Sequence, residues 1–129
     1  MADKILNIFE KPIYLSFEPC DPHLFASAFG AVETPARVSF LLRDAAVNYA
    51  VRDQDPGEVR IMGIEVCEAD TSPAKVLDFV IKSGTSVSVV KEDLEARGIS
   101  PSELIEGVRV LPEAQVADLI EAHEGVILW

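Results

Sequence analysis

Cys20 is the side chain best placed to do chemistry. It stands in Glu18-Pro19-Cys20-Asp21-Pro22, just ahead of a helix expected to run from Asp21-Pro22 to about Val32. A thiol works as its thiolate, and the backbone N–H groups and positive dipole end of a helix starting there favour that form. Glu18 and Asp21 act in the opposite sense, because nearby negative charge raises a thiol pKa. Cys20 is therefore either a nucleophile on a loop or a packed, idle cysteine. Cys67 lies in Ile64-Glu65-Val66-Cys67-Glu68-Ala69-Asp70. Its acidic neighbours disfavour a thiolate, and its apolar flanks equally fit a half-buried structural position.

The other reactive residue types suggest less. His23 can join Cys20 and Asp21 as a base or metal ligand, but a solvent-exposed histidine in a first helical turn has the same sequence signature. His123 falls near the end of the last expected helix, where a cation suits the dipole. Trp129, beside Leu128, suits a core or subunit contact. With two cysteines and no C-x-x-C, zinc-finger spacing is absent and a cytosolic disulfide is not expected. No G-x-G-x-x-G or G-x-x-x-x-G-K-[ST] run exists, so neither a dinucleotide nor a P-loop site has support. No cofactor and no metal are expected.

The elements that must position these residues read most clearly in the second half. Ser72-Pro73 caps a helix that Gly84 stops, with Val76, Leu77, Phe79, Val80 and Ile81 on a broad apolar face. Thr85–Val90 is a β-branched strand. Lys91–Arg97 is a short helix closed by Gly98, where Arg97 suits the negative dipole end. Ser100-Pro101-Ser102-Glu103 reads as a capping box opening a further helix, with Ile99 and Leu104 as its staple. Val108–Leu111 is a strand, Pro112 opens a helix with Val116, Leu119 and Ile120 on one side, Gly125 stops it, and Val126–Trp129 is a final strand.

Upstream, Ile13–Phe17 is the preferred first strand, with Ile5–Phe9 competing. Leu24, Phe25, Ala28 and Phe29 form the inward face of the first helix. Val38–Leu42 is a buried strand and Ala45–Val51 a helical turn; Asp53–Glu58 is a polar loop. Ile61–Cys67 is a short extra strand or an ordered loop. Alternating strands and helices with short connections predict a single α/β domain over residues 1–129. Its sheet has roughly five parallel strands, with right-handed crossovers and helices on both faces.

Composition narrows the function classes. The chain has 129 residues, 49% of them hydrophobic, enough for one ordinary core. Its 22 acidic against 11 basic residues give a net charge of −11. Phosphate backbones repel such a surface, so no direct nucleic-acid binding is expected. No apolar run is long enough to span a membrane, and the N-terminal MADKILNIFEK lacks a signal-peptide pattern. The expectation is a cytoplasmic protein without a membrane partner.

Val87–Gly98, VSVVKEDLEARG, resembles the DsrE/DsrF/DsrH superfamily, which includes TusB, TusC and TusD. Members share a strand followed by a D-L-x-A-R-G or C-x-A-A-x-R-G helix, then a helix, strand, helix and strand. Asp93-Leu94-Glu95-Ala96-Arg97-Gly98 fits the first form. Pro12–Phe17 with the helix after it resembles the opening unit. Val38–Val51 resembles the strand that ends in an Asp-Gly-Val-Tyr turn.

Two departures qualify the resemblance. The DsrE/TusD branch carries sulfur on a cysteine at the end of the third strand, and Lys91 occupies that position here. The Asp-Gly-Val-Tyr turn has become Asp44-Ala45-Ala46-Val47. The chain thus resembles the DsrF/TusC and DsrH/TusB branches more closely, whose members are partner subunits. The resemblance implies a DsrE/F-type, flavodoxin-like fold and a sulfur-relay protein or subunit. Such a protein handles persulfide sulfur for tRNA thiolation or sulfur oxidation, within a homo- or hetero-oligomer of sulfur-transfer partners. Cys20, then Cys67, would carry sulfur, and Lys91 and Asp44 would contact substrate or partner. The alternatives are a non-catalytic structural subunit of such a complex and a small-molecule-binding flavodoxin-like domain.

Overall fold

Two short apolar runs near the N-terminus compete for the first strand, and Ile5–Phe9 takes a place in the sheet. This strand, β1, is followed by helix α1 (Pro22–Glu33), β2 (Val38–Leu42) and a 3₁₀ segment, Asp44–Ala50. A two-stranded hairpin comes next, β3 (Arg60–Ile61) with β4 (Ile64–Glu65), and then α2 (Pro73–Lys82), β5 (Ser86–Val90) and α3 (Lys91–Ala96). The chain closes with β6 (Arg109–Leu111), α4 (Val116–Glu121) and β7 (Gly125–Leu128). The computed structural model describes residues 4–11, 22–54, 60–65 and 72–129. Ile13–Phe17 lies outside them; the position expected for it in the sheet is held by β1.

β1, β2, β5, β6 and β7 form one sheet in the order β6-β5-β2-β1-β7, and every pairing is parallel. The expected five-stranded parallel α/β fold is therefore the observed one. β1 to β6 step across the sheet in one direction, and the last crossover returns past β1 to place β7 on its far side. Right-handed connections put helices on opposite faces when the direction of travel reverses. The core divides accordingly. On one face, Phe9, Phe40, Leu42, Val87 and Val89 pack against Ala28 and Ala31 of α1, Val76, Leu77 and Val80 of α2, and Leu94 of α3. On the other, Leu6, Ile8, Leu41 and Val90 meet Val116, Leu119 and Ile120 of α4.

Local signals explain most element ends. Ser72 accepts a hydrogen bond from the Lys75 N–H (3.3 Å) with Pro73 in the first turn of α2. Gly98 ends α3 at φ 67°, the left-handed conformation that a glycine adopts without strain. The capping box does not open a helix. The Ser100 hydroxyl accepts from Ser102 N–H, and only the single 3₁₀ turn Pro101–Glu103 forms. At its end the backbone is claimed by residues at and just after the end of the first 3₁₀ segment. The Ile105 N–H donates to the Ala50 carbonyl (2.9 Å), and the Arg52 N–H to the Glu103 carbonyl (2.8 Å). The staple residues still do their packing, Leu104 in the core and Ile99 against it. Ile64–Glu65, within the undecided stretch, is the second strand of the β3–β4 hairpin. Gly125 begins β7, one residue earlier than expected.

Candidate functional site: the carboxyl rim of the sheet

Because all five strands run parallel, their C-terminal ends line one rim. In open α/β sheets the ligand crevice forms there, between adjacent strands whose connections leave to opposite faces. β5 leads into α3 on one face and β6 into α4 on the other. The switch point therefore falls between Lys91, the first residue after β5, and Pro112-Glu113, just after β6. The Glu92 carboxylate spans this gap by accepting the Glu113 N–H (2.7 Å). Lys91 is exposed and has a loose ion pair with Glu95 at 3.8 Å.

The Asp93–Gly98 motif reaches the next strand. The Asp93 carboxylate accepts the Asp44 N–H (2.7 Å), and the Arg97 guanidinium donates to the Asp44 carboxylate (2.5 Å). Arg97 also donates to the Asp93 carbonyl (3.4 Å). Asp44 sits at φ 52°, a left-handed conformation in which aspartate is among the better-tolerated non-glycine residues. Its backbone N–H is thus held by α3 and its side chain by Arg97, the residue that follows α3. The sequence offered a dipole partner for Arg97; the observed partner is a carboxylate 53 positions away. Glu92 and Asp93 are thus each engaged by backbone N–H groups of their own chain. Arg43, beside Asp44, pairs with Glu10 after β1 (3.6 Å), so charged contacts tie β1, β2 and β5 together along the rim.

This clamp is partly screened, since the Asp44 side chain is 70% exposed and that of Arg97 28%. Pairs of that kind are worth about 0.2–1 kcal/mol. A double-mutant cycle of Asp44→Ala and Arg97→Ala, read by urea unfolding, is expected to give a coupling of about 0.5–1 kcal/mol. A coupling indistinguishable from zero would show that the contact holds geometry without contributing stability.

Cys20, Cys67 and the His23 side chain lie outside the described residues. Their neighbours are placed: β1 delivers the chain to the rim at Phe9, and α1 begins at Pro22, two residues after Cys20. β1 stands two strands from β5, about 10 Å at ordinary strand spacing. His123 is remote from this rim and bonds through Nδ1 to the Leu119 carbonyl (2.7 Å). The Trp129 ring stacks on Phe9 (centroids 6.4 Å apart), and its Nε1–H donates to Asn7 (3.1 Å). Among the described residues no three of His, Cys, Asp and Glu come together as a metal site. No helix among them is long and apolar enough to cross a membrane. Glu92, which the sequence reading passed over as one acidic residue among many, is the side chain that bridges the switch point. A carboxylate in the first turn of a helix was the only signal for it.

The architecture has solved counterparts. The YchN protein from E. coli superposes with a TM-score of 0.73 at 22% sequence identity, covering 98% of this chain and 99% of that one. This is a DsrE/DsrF-like fold. MTH1491 from Methanobacterium thermoautotrophicum, a protein of unknown function, superposes at 0.60 with 16% identity, covering 97% and 96%. No family model matches the sequence, and no curated protein does. At these identities the likeness establishes the DsrE/DsrF-like fold of this chain and leaves its branch and activity to be argued from the rim.

Proposed function

We propose that the chain is a sulfur-relay protein or subunit, of the partner-subunit kind found in the DsrF/TusC and DsrH/TusB branches. One observation carries the reading. The switch-point position at the end of β5, in a DsrE/DsrF-like sheet, holds an exposed lysine where a carrier branch has its thiol. A cation there attracts the thiolate or persulfide of an incoming partner, which makes Lys91 a contact for sulfur in transit. Asp44, gripped by Asp93 and Arg97, shapes the neighbouring turn. The fold-level part of this argument is analogy; the rim chemistry is this chain's own.

If the chain itself carries sulfur, Cys20 is the first candidate and Cys67 the second. The Cys20 thiolate attacks the outer sulfur of a donor persulfide, R–S–SH. The donor S–S bond breaks, R–S⁻ leaves, and Cys20–S–SH remains. Atoms and charge balance without an external oxidant. The setting is cytoplasmic, with protein partners in a homo- or hetero-oligomer. Lys91 also favours a second reading, a non-catalytic subunit that shapes a partner's thiol site.

Intact mass after incubation with a persulfide donor separates these. The carrier reading expects one added sulfur atom on the wild type and none on Cys20→Ser. The same gain on a Cys20→Ser, Cys67→Ser double variant would eliminate it. No gain in the wild type, with a stable complex formed with a cysteine-bearing paralogue, selects the structural subunit. A small ligand retained through purification would favour a flavodoxin-like binding domain instead.

A further inference from the structure

The two edges of the sheet are built differently. β6 is three residues long, starts with the exposed Arg109 and stops at Pro112, and charge, shortness and proline are the devices that keep an edge from pairing. β7, four residues long, has neither the charge nor the proline. Gly125–Leu128 carries no charge in a chain of net charge −11. Its large side chains are open to solvent, Val126 at 44%, Ile127 at 43% and Leu128 at 62%. The N–H groups of Gly125 and Trp129 donate to the Lys4 and Ile8 carbonyls (3.1 and 2.9 Å). Alternation along the strand therefore turns the N–H and C=O of Val126 and Leu128 away from β1. Among the described residues, no strand pairs with that outer side.

We propose that the outer edge of β7 pairs antiparallel with β7 of a second copy of this chain, about a two-fold axis at Ile127, joining two sheets into one. The donor pattern sets the register. Val126 faces Leu128 of the second copy and Leu128 faces Val126, two pairs that each exchange both N–H···O bonds. Ile127 then meets Ile127 across the axis. Sliding toward Glu124 gains no donor, because the Glu124 N–H is already given to the Lys4 carbonyl (2.9 Å); sliding the other way leaves Leu128 alone to pair.

Charge selects a second copy over a basic partner. The strand has no charge that would draw a basic partner to this edge in particular, whereas its uncharged run is where two chains of net charge −11 can meet with least repulsion. Antiparallel pairing sends the two Glu124 residues to opposite ends. On one face Val126 and Leu128 cover their counterparts; on the other Ile127 covers its own. This contact deepens the assembly proposed above but stands on the edge strand alone.

Solution mass and a register-specific cross-link test it. Sedimentation of the wild type is expected to give twice the 14.1 kDa chain mass. Leu128→Pro removes an outward N–H without touching the β1 ladder, a position where an edge strand accepts proline, and is expected to halve the measured mass. Val126→Lys is expected to do the same by charge, should proline at 128 disturb folding. In a Cys20→Ser, Cys67→Ser background, Ile127→Cys places two thiols on Cα atoms about 4.5 Å apart, within disulfide reach. It should oxidise to a covalent dimer. Val126→Cys should not, its diagonal partner being about 7–8 Å away.

A larger assembly that Leu128→Pro cuts in half supports the proposal, since a two-fold contact joins units in pairs. A monomeric wild type, an assembly that both edge variants leave whole, or cross-linking at 126 but not at 127 would overturn it. Sulfur uptake by the same edge variants is read separately, so loss of the dimer and loss of the relay reading are distinguishable.

Discussion

Truncating Phe40 to alanine is expected to remove about 3–5 kcal/mol of folding stability, the usual cost of emptying a buried aromatic site. Phe40 lies at the middle of β2, the central strand of the sheet, and is 1% exposed. Its ring meets that of Phe9 on β1 with centroids 5.6 Å apart, and Phe9 in turn lies 6.5 Å from Tyr49 and 6.4 Å from Trp129. The site sits between sheet and helices, so its walls are held by backbone ladders and cannot close onto the void. A domain of this kind has about 5–15 kcal/mol in total, so the variant should be marginal at 25 °C. Urea unfolding checks it: the midpoint should fall with the slope unchanged. Phe40→Leu, which keeps most of the volume, should cost under about 1.5 kcal/mol. Equal costs for the two would show that aromatic packing, and not the cavity, is what Phe40 supplies.

The second large effect is expected at Gly107. This residue turns the chain into β6 at φ 93°, and a Cβ placed on it would lie 2.7 Å from Cγ2 of Ile81. That methyl is fixed by χ1 near the end of α2 and cannot swing away like the end of a long side chain. Gly107→Ala therefore combines left-handed strain of about 1–2 kcal/mol with overpacking of about 1–3 kcal/mol, for a loss of roughly 2–5 kcal/mol. Gly98→Ala is the built-in comparison. At φ 67° it has similar strain, yet nothing lies within 4 Å of its added Cβ, so only the strain of about 1–2 kcal/mol is expected. Thermal unfolding of the two variants under identical conditions measures the difference. If they melt together, Ile81 yields without cost and the packing argument fails.

How far the sequence carried the structure depends on whether each signal was local. Strand-helix alternation from Ser72 onward, with Ser72-Pro73, Gly98 and Pro112 marking boundaries, was legible because caps and turns act within a few residues. The first strand was not. Ile5–Phe9 is interrupted by Asn7, which reads as polar yet is buried with its side chain accepting from Trp129, a partner at the far end of the chain. Ile13–Phe17 looked the better strand in isolation. Ser100–Glu103 failed as a helix start because Arg52 and Ala50 bond the backbone of Glu103 and Ile105 at its end. At the rim, Lys91 and Asp44 were identifiable by resemblance, but no spacing rule could show that Asp93 and Arg97 grip Asp44. That bond exists only once β2 and β5 stand side by side. Glu92 was missed for the same reason, its partner Glu113 belonging to another strand's loop.

The place of β1 in the sheet has a kinetic consequence. It pairs on one side with β2, which follows soon in the chain, and on the other with β7, where Ile5 aligns with Gly125. At ordinary translation speeds of about 5–20 residues per second, β7 is made on the order of ten seconds after β1. Throughout that interval a nascent sheet of β2 and β1 presents an open apolar flank, with Leu6 and Ile8 awaiting α4. Pairing of β7 and packing of α4 end this exposure, so chaperone dependence is expected to track the synthesis of β7.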